Sequence, residues 1–284
     1  MPALQGLYRP RSVAEAVALL AQDPDAKPLA GGATLVAMLN ARVIEPNALV
    51  SLAGIAEIQG ITTLADGGVR IGAFTRHRDT AACALPLGAS AVVRHAAAQI
   101  ANATVRNMGT MGGSISFADP GLDYPPALVA AGACVEIAST QGARIVTARE
   151  FFVDWYTTAL KPGELVTAVL LPRPHANAAG VYIKHARVAG DYATASVAAC
   201  LHGDGRVSIA VGACGPTPLV DDTANALLSD DRSDAAIMQA GALLDKLADP
   251  LDDVRGSANY RRMLSPRLLL RAVRAVEAAQ RDLA

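Results

Sequence analysis

Clustered cysteines, aromatic residues, net charge and long apolar runs are all scarce in this sequence, and each scarcity excludes a class of function. Four cysteines (Cys83, Cys134, Cys200, Cys214) are scattered over 284 residues without a CxxC pair. Iron–sulfur and zinc sites need neighbouring thiolates, so these four read as buried, reduced side chains. The five histidines (His77, His95, His175, His185, His202) are equally dispersed, and no metal site is expected. A formal charge of −1 offers no basic face to nucleic acid. Every Ala-rich stretch is broken by Arg, His, Asp or Pro before it reaches membrane-spanning length. The opening MPALQGLYRPRS lacks the apolar core of a secretory signal, so a cytoplasmic chain is expected. No GxGxxG occurs, and no Walker lysine follows any glycine pair.

What the sequence has is apolar material and paired glycines. It is 52% hydrophobic and 18% charged, with only 4% aromatics, enough for a sizeable Ala-rich core in two domains or in one large domain with an appendage. The stretch Thr104–Tyr124, TVRNMGTMGGSISFADPGLDY, organises the rest. Gly112 and Gly113 follow Thr110 and precede Ser114, with Asp119 and Asp123 beyond. Gly-Gly removes two successive Cβ atoms, so backbone N–H groups can close around a ligand oxygen. A second pair, Gly31-Gly32, is again followed by a hydroxyl residue, Thr34. Two such loops suit a diphosphate held from both sides, although a single Gly-Gly usually only turns the chain. Asp119 and Asp123 read either as hydroxyl acceptors for that ligand or as residues that end a turn and cap the next helix. No partnered histidine or nucleophile lies near them in sequence.

Taken in order, Ser12 and Glu15 form a capping box for a helix that ends at Asp23–Asp25. AKPLAGG reads as a short buried strand entering the first Gly-Gly loop, with Thr34 capping the next helix and a strand at Ala48–Leu52. That strand–loop–helix order presents amides and a helix dipole to phosphate. Residues 58–73 and CVEIASTQGARIVT read as hairpins turning at Asp66-Gly67-Gly68 and Gln141-Gly142. One helix is expected over Ala89–Ala103. Phe151, Phe152, Trp155 and Tyr156 read as a packing cluster beneath a loop. Pro172–Ala179 is a linker, followed by three strands, an amphipathic helix over Ser233–Leu247, and a last helix capped at Ser265-Pro266. Tyr260-Arg261-Arg262 reads as a solvated charge pair ahead of that helix.

AGGATL, VRNMGTMGGSISFADPGLDYP, GELVTAVLLP and YIKHARVAGDYATASVAA together resemble the FAD-binding medium subunit of molybdenum hydroxylases, the xanthine dehydrogenase and carbon monoxide dehydrogenase type. The resemblance covers nearly the whole chain, and TxGGS with the downstream ADPxxDxP is its specific part. It implies an α+β protein: two α/β-type FAD-binding subdomains of the PCMH type (residues 1–56 and 57–175) and a C-terminal α+β domain (178–284) with a three-stranded antiparallel sheet and helices. Ala30, Gly31, Gly32, Ala33, Thr34 and Leu35 would wrap one side of the FAD pyrophosphate. Thr110, Met111, Gly112, Gly113 and Ser114 would wrap the other, with Asp123 near ribityl or ribose hydroxyls. Val166 would lie by the adenine, and Lys184, Asp191 and Tyr192 by the isoalloxazine, where a cation favours the reduced ring. Ala33 stands where the family usually has Gln or His, so that loop would bind through its backbone; Met111 replaces the usual Ile at similar volume.

The resemblance further implies an electron-transfer subunit with no catalytic residues of its own for hydroxylation. A large molybdopterin subunit and a small subunit with two [2Fe–2S] clusters would be its partners, in a dimer of heterotrimers. The absence of cluster cysteines agrees with that division. Two other readings stand beside it: a stand-alone FAD-dependent oxidoreductase of the same fold, which would need its own substrate pocket, and a binding module without redox function.

Overall fold

Hydrophobic patterning separates the chain into a mixed first part and a sheet-then-helix second part, and a computed structural model describing residues 6–283 shows how they join. The first elements are β1 (Gly6–Tyr8), α1 (Val13–Gln22), β2 (Lys27–Leu29), α2 (Leu35–Asn40) and β3 (Ala48–Ser51). They form a parallel sheet in the order β1-β3-β2. Helix α1 buries Ala16 and Val17 together with Leu20, four and three residues further along the same face. Ser12 Oγ accepts the Glu15 N–H at 3.2 Å, but the Glu15 carboxylate takes the N–H of Arg11 at 2.7 Å, so only half of the expected capping box closes on Ser12. Strand β2 is not buried as expected: Lys27 and Pro28 are exposed, because it is the edge of its sheet, where a proline lacking an N–H is tolerated. The first residues of the stretch lacking a secretory signal, 1–5, lie outside the described residues.

The second group comprises β4 (Ile61–Thr63), β5 (Val69–Gly72), α3 (His77–Ala81), α4 (Ala91–Gln99), α5 (Ala103–Met108), α6 (Met111–Phe117) and α7 (Tyr124–Ala130). It continues through β6 (Cys134–Ser139), β7 (Gly142–Thr147), α8 (Ala148–Phe151), β8 (Phe152–Asp154), β9 (Thr157–Thr158) and β10 (Leu165–Leu171). A five-stranded antiparallel sheet results, β4-β5-β10-β6-β7, while β8 and β9 pair separately. Both expected hairpins are present, and Asp66 accepts the Gly68 N–H at 2.8 Å to set the first turn.

Three expectations fail here. The helix expected over Ala89–Ala103 stops at Gln99, since Ala101 adopts left-handed backbone (φ 42) and Asn102 caps a new helix by accepting the Val105 N–H at 3.0 Å. The supposed central loop then holds α5 and α6, so the second glycine pair lies inside the first turn of a helix rather than in an open loop. The aromatic cluster also divides: Phe151 and Phe152 pack edge-to-face in the core, whereas Tyr156 is 58% exposed with φ 51.

The last part is β11 (Ala179–His185), β12 (Ala195–Leu201) and β13 (Val207–Gly212), then α9 (Asp222–Asp230), α10 (Asp234–Leu247) and α11 (Ala258–Arg281). The strands form an antiparallel sheet, as expected. The final helix starts eight residues earlier than its Ser-Pro signal suggests. Ser257 accepts the Tyr260 N–H at 3.2 Å, and Pro266 lies inside the helix. There Pro266 packs on Gly241 of α10, tertiary contact that offsets the cost of an interior proline. Arg261 is consequently not solvated: it is 5% exposed and donates to the carbonyls of Thr194 and Ala213 and to Asp253.

This C-terminal sheet is buried on both faces. Tyr182, Ala198, Cys200 and Ala210 join the core of the first part, packed with α4 and α7. Val197, Ala199, Leu201, Ile209 and Val211 face α9, α10 and α11 in a second core. A Cβ at Gly180 of β11 would overlap the backbone carbonyl of Ala89, so the sheet approaches the start of α4 closely enough to require glycine. We therefore expect Gly180→Ala to destabilise the whole chain by about 1–3 kcal/mol, in the range for overpacked cores, with one unfolding transition shifted in urea rather than a new one appearing.

Candidate functional site

A cavity of about 280 Å³ runs between the parallel sheet, the five-stranded sheet and the β11–β12 turn. Its floor comes from the segment after β2. Among the described residues, the backbone N–H groups of Gly31, Gly32, Ala33, Thr34 and Leu35 find no acceptor; the first to do so is Val36, which donates to Gly32 O at 3.2 Å. The run of free donors arises because Gly31 tucks beneath Met108, where any Cβ would overlap the carbonyl, and Gly32 turns left-handed (φ 80). Thr34 occupies the cap position of α2 but makes no capping bond, correcting the expectation that it caps that helix. Thr34 borders the cavity.

The opposite wall is the start of α6, and it works differently. Thr110 caps the helix by accepting the Gly113 N–H at 3.2 Å. The N–H groups of Met111 and Gly112 donate to the carbonyls of Thr75 and Ala73 at 2.9 and 2.8 Å, and Ser114 N–H donates to Thr110 O at 3.0 Å. These amides are therefore engaged within the protein. The glycines serve close packing instead: a Cβ at Gly112 would lie 2.6 Å from that of Ala73, and one at Gly113 2.9 Å from Thr110 Oγ1. Gly112, Gly113 and Ser114 all border the cavity.

Asp123 forms the deep side. It is 5% exposed and caps nothing, although it precedes α7. Instead its carboxylate accepts from Tyr182 Oη at 2.8 Å, and Lys184 Nζ lies 2.9 Å away. Lys184 also donates to Gln99 O at 2.9 Å, and the Gln99 side chain donates to Tyr182 O at 3.1 Å. Burial pushes the Asp123 pKa up, while the Lys184 ammonium and the two hydrogen bonds pull against it. Burial also raises the pKa of Tyr182 well above the phenol range, so its hydroxyl keeps the proton it donates.

Of the residues singled out from sequence, Ala30, Gly31, Gly32, Ala33, Thr34, Leu35, Thr110, Gly112, Gly113, Ser114, Asp123, Val166, Asp191 and Tyr192 all border this one cavity. Met111 is fully buried beneath it, and Lys184 stands behind Asp123 rather than on the wall. Sequence reasoning missed Ile100, Ala101, Val105, Phe117 and His77, which also line it. His77 carries no motif; its ring contacts Tyr124 Oη at 3.2 Å, and burial, reinforced by Arg106, lowers its pKa to about 4.

A run of unpaired amides for an anion, a glycine turn without side chains, and a buried carboxylate for hydroxyls define a protein that holds a diphosphate-bridged ligand. The dinucleotide FAD has that chemistry, and the donors and space fit it. The residues around the site match a family model for the FAD-binding domain in molybdopterin dehydrogenase over residues 3–174, and one for the CO dehydrogenase flavoprotein C-terminal domain over 181–276. The carbon monoxide dehydrogenase medium chain of Afipia carboxidovorans is 37% identical, with 97% of each chain covered. The nicotine 6-hydroxylase medium subunit of Paenarthrobacter nicotinovorans is 35% identical, with 96% of each covered. Among solved structures, one of the Cu,Mo-CO dehydrogenase superposes with a TM-score of 0.91 at 36% identity, covering 98% of this chain and 99% of that one. The chain belongs to the FAD-binding medium subunits of the molybdenum hydroxylase family, an oxidoreductase subunit whose cofactor is FAD.

Two consequences are measurable. Gly31→Ala must displace either the donor run or the end of α5, and we expect FAD affinity to fall at least about tenfold while far-UV dichroism is retained, read by fluorescence titration. For His77 the sign follows from its lowered pKa. Above pH 6.5 both folded and unfolded states carry a neutral ring, and the group is silent. Below it the unfolded chain takes up a proton that the folded chain refuses down to about pH 4, so stability falls across that window. His77→Gln should flatten that part of the stability–pH curve in urea titrations.

Proposed function

We propose that this chain is the FAD-carrying electron-transfer subunit of a molybdenum-containing hydroxylase. It would receive electrons from [2Fe–2S] clusters on a small partner subunit and pass them to an external acceptor, while a large molybdopterin subunit oxidises the substrate. The observation that carries the reading is the single cavity where Gly31–Leu35 offer free amides opposite the close-packed glycine turn at Gly112-Gly113. When bound, FAD supplies the exchange between one- and two-electron chemistry that links iron–sulfur clusters to small oxidants. This chain's own residues have other tasks. The free amides neutralise pyrophosphate charge, Asp123 accepts from ligand hydroxyls, and Val166 and Leu165 exclude water from β10. Neutral His77 adds no charge to the lining.

Supporting the division of labour, the relatives described above are medium chains or subunits by name, which implies larger and smaller partners. We extend that to a heterotrimer and its dimer, to a cytoplasmic location, and to a division near residues 175–178 between an FAD-binding part and a C-terminal part. Among the described residues no helix is long and apolar enough to cross a membrane.

The test is absorption spectroscopy on the isolated chain and on the complex purified with its neighbours from the native host. We expect flavin bands in both, iron–sulfur absorbance in the complex alone, and substrate-dependent bleaching of the flavin only in the complex. Substrate turnover by the isolated chain would favour a stand-alone oxidoreductase instead.

A further inference from the structure

The β11–β12 turn borders the cavity and is attached on both sides of it. Gly190 (φ 84) abuts the carbonyl of Ala101 on one wall, where a Cβ would come within 2.5 Å. Tyr192 rests on Gly121 of the other wall, and Ala193 N–H donates to Gly121 O at 3.2 Å. Tyr192 itself borders the cavity, so the turn carries one aromatic ring across it.

From outside, that ring is held by a second turn, Asp253–Gly256. The guanidinium of Arg255 sits 4.8 Å from the Tyr192 ring centroid. Arg255 lies 3.6 Å from Asp191 Oδ1 through its Nε, and its other end bonds Asp253 at 3.3 Å. Asp191 Oδ1 meanwhile accepts the Tyr192 N–H at 2.8 Å, and Oδ2 pairs with Arg187 at 3.2 Å. Arg187 closes the circuit by donating to Val254 O at 2.9 Å. The anchor is Arg261, which grips Asp253 at 2.5 Å and reaches the Thr194 and Ala213 carbonyls inside the core. Charge thus runs from a buried arginine to an exposed turn and ends on the ring at the cavity.

We propose that Arg255 and Asp191 are positioning residues that hold Tyr192 across the FAD cavity and thereby limit how far small solutes reach the bound cofactor. The inference rests on FAD occupying this cavity. The latch is an electrostatic one: Arg187 is 54% exposed and Asp191 and Arg255 are half-buried, so salt weakens it without touching the cores. An arginine is suited to the task because its planar group can stack on a ring while its edge bonds carboxylates, which a lysine cannot do together. The buried Nε of Arg255 has no hydrogen-bond partner within 3.5 Å, so the contact with Asp191 is a charge attraction and not a hydrogen bond.

The experiment uses the FAD-loaded full chain and measures quenching of bound-FAD fluorescence by acrylamide, a neutral probe, together with the rate of FAD release into a scavenging apoprotein. Arg255→Gln should raise both by about fivefold, a size suited to one cation–π contact and one partly exposed ion pair, with an unchanged melting temperature. Tyr192→Ala should reach at least the same level, Arg255→Lys should fall between, and added KCl should move the unaltered protein, but not Arg255→Gln, toward the open values. If Arg255→Gln matches the unaltered protein while Tyr192→Ala is open, the ring is held by something else and the proposal is wrong. No effect of Tyr192→Ala would likewise overturn it. Absence of bound flavin in the unaltered chain would instead remove the cofactor reading on which the proposal stands.

Discussion

The pair of Asp123 and Lys184 is the contact on which the site most depends. Both side chains are nearly sealed from water, a placement that costs several kcal/mol per ion unless every valence is met. Here the lysine has the carboxylate and the Gln99 carbonyl, and the carboxylate has the lysine and Tyr182. Lys184 and Tyr182 come from the same face of one strand of the C-terminal sheet, whereas Asp123 opens α7 and Gln99 ends α4. The network therefore ties the end of α4, the start of α7 and strand β11 together at the deep side of the cavity, and removing one partner would leave a buried charge beside the ligand space. Its value lies in geometry more than in net stability, since a well-packed apolar pair could replace it at little cost to the fold.

The two glycine pairs look alike in sequence and behave differently in space. Gly31-Gly32 frees a stretch of main chain to present amides, whereas Gly112-Gly113 commits its amides to the Ala73 carbonyl and the Thr110 hydroxyl. The first is an electrostatic feature and the second a steric one. Alanine at position 33 fits this division, because a backbone that already offers consecutive donors needs no side-chain donor beside it.

Much of this arrangement is legible in the amino-acid sequence alone. Hairpin turns such as Asp66-Gly67-Gly68 and Gln141-Gly142 read correctly because their chemistry is local, and the motif segments lead to the family. The cavity lining drawn from those motifs converges, yet its logic stays hidden wherever a residue acts through a distant partner. Lys184 is singled out only by the resemblance, and nothing local in its sequence points to the pair it forms with Asp123. Arg261 reads as solvated because its acceptors, the carbonyls of Thr194 and Ala213, lie 67 and 48 residues away. The break at Ala101 leaves no signal, since alanine rarely adopts left-handed backbone, and a serine-proline pair at 265–266 mimics a helix start that Ser257 in fact supplies.

Strand β12 carries a further implication. All seven of its residues are buried, with Ala198 and Cys200 serving one core and Val197, Ala199 and Leu201 the other. Odd and even positions along one strand thus answer to different neighbours. Exchanging the C-terminal half between two relatives would graft a strand whose even positions were selected against another protein's α4 and α7. Recombination at the proline-rich linker, which looks permissive in sequence, is therefore restricted to parents whose Cys200-facing surfaces agree, and the two parts must drift together through evolution.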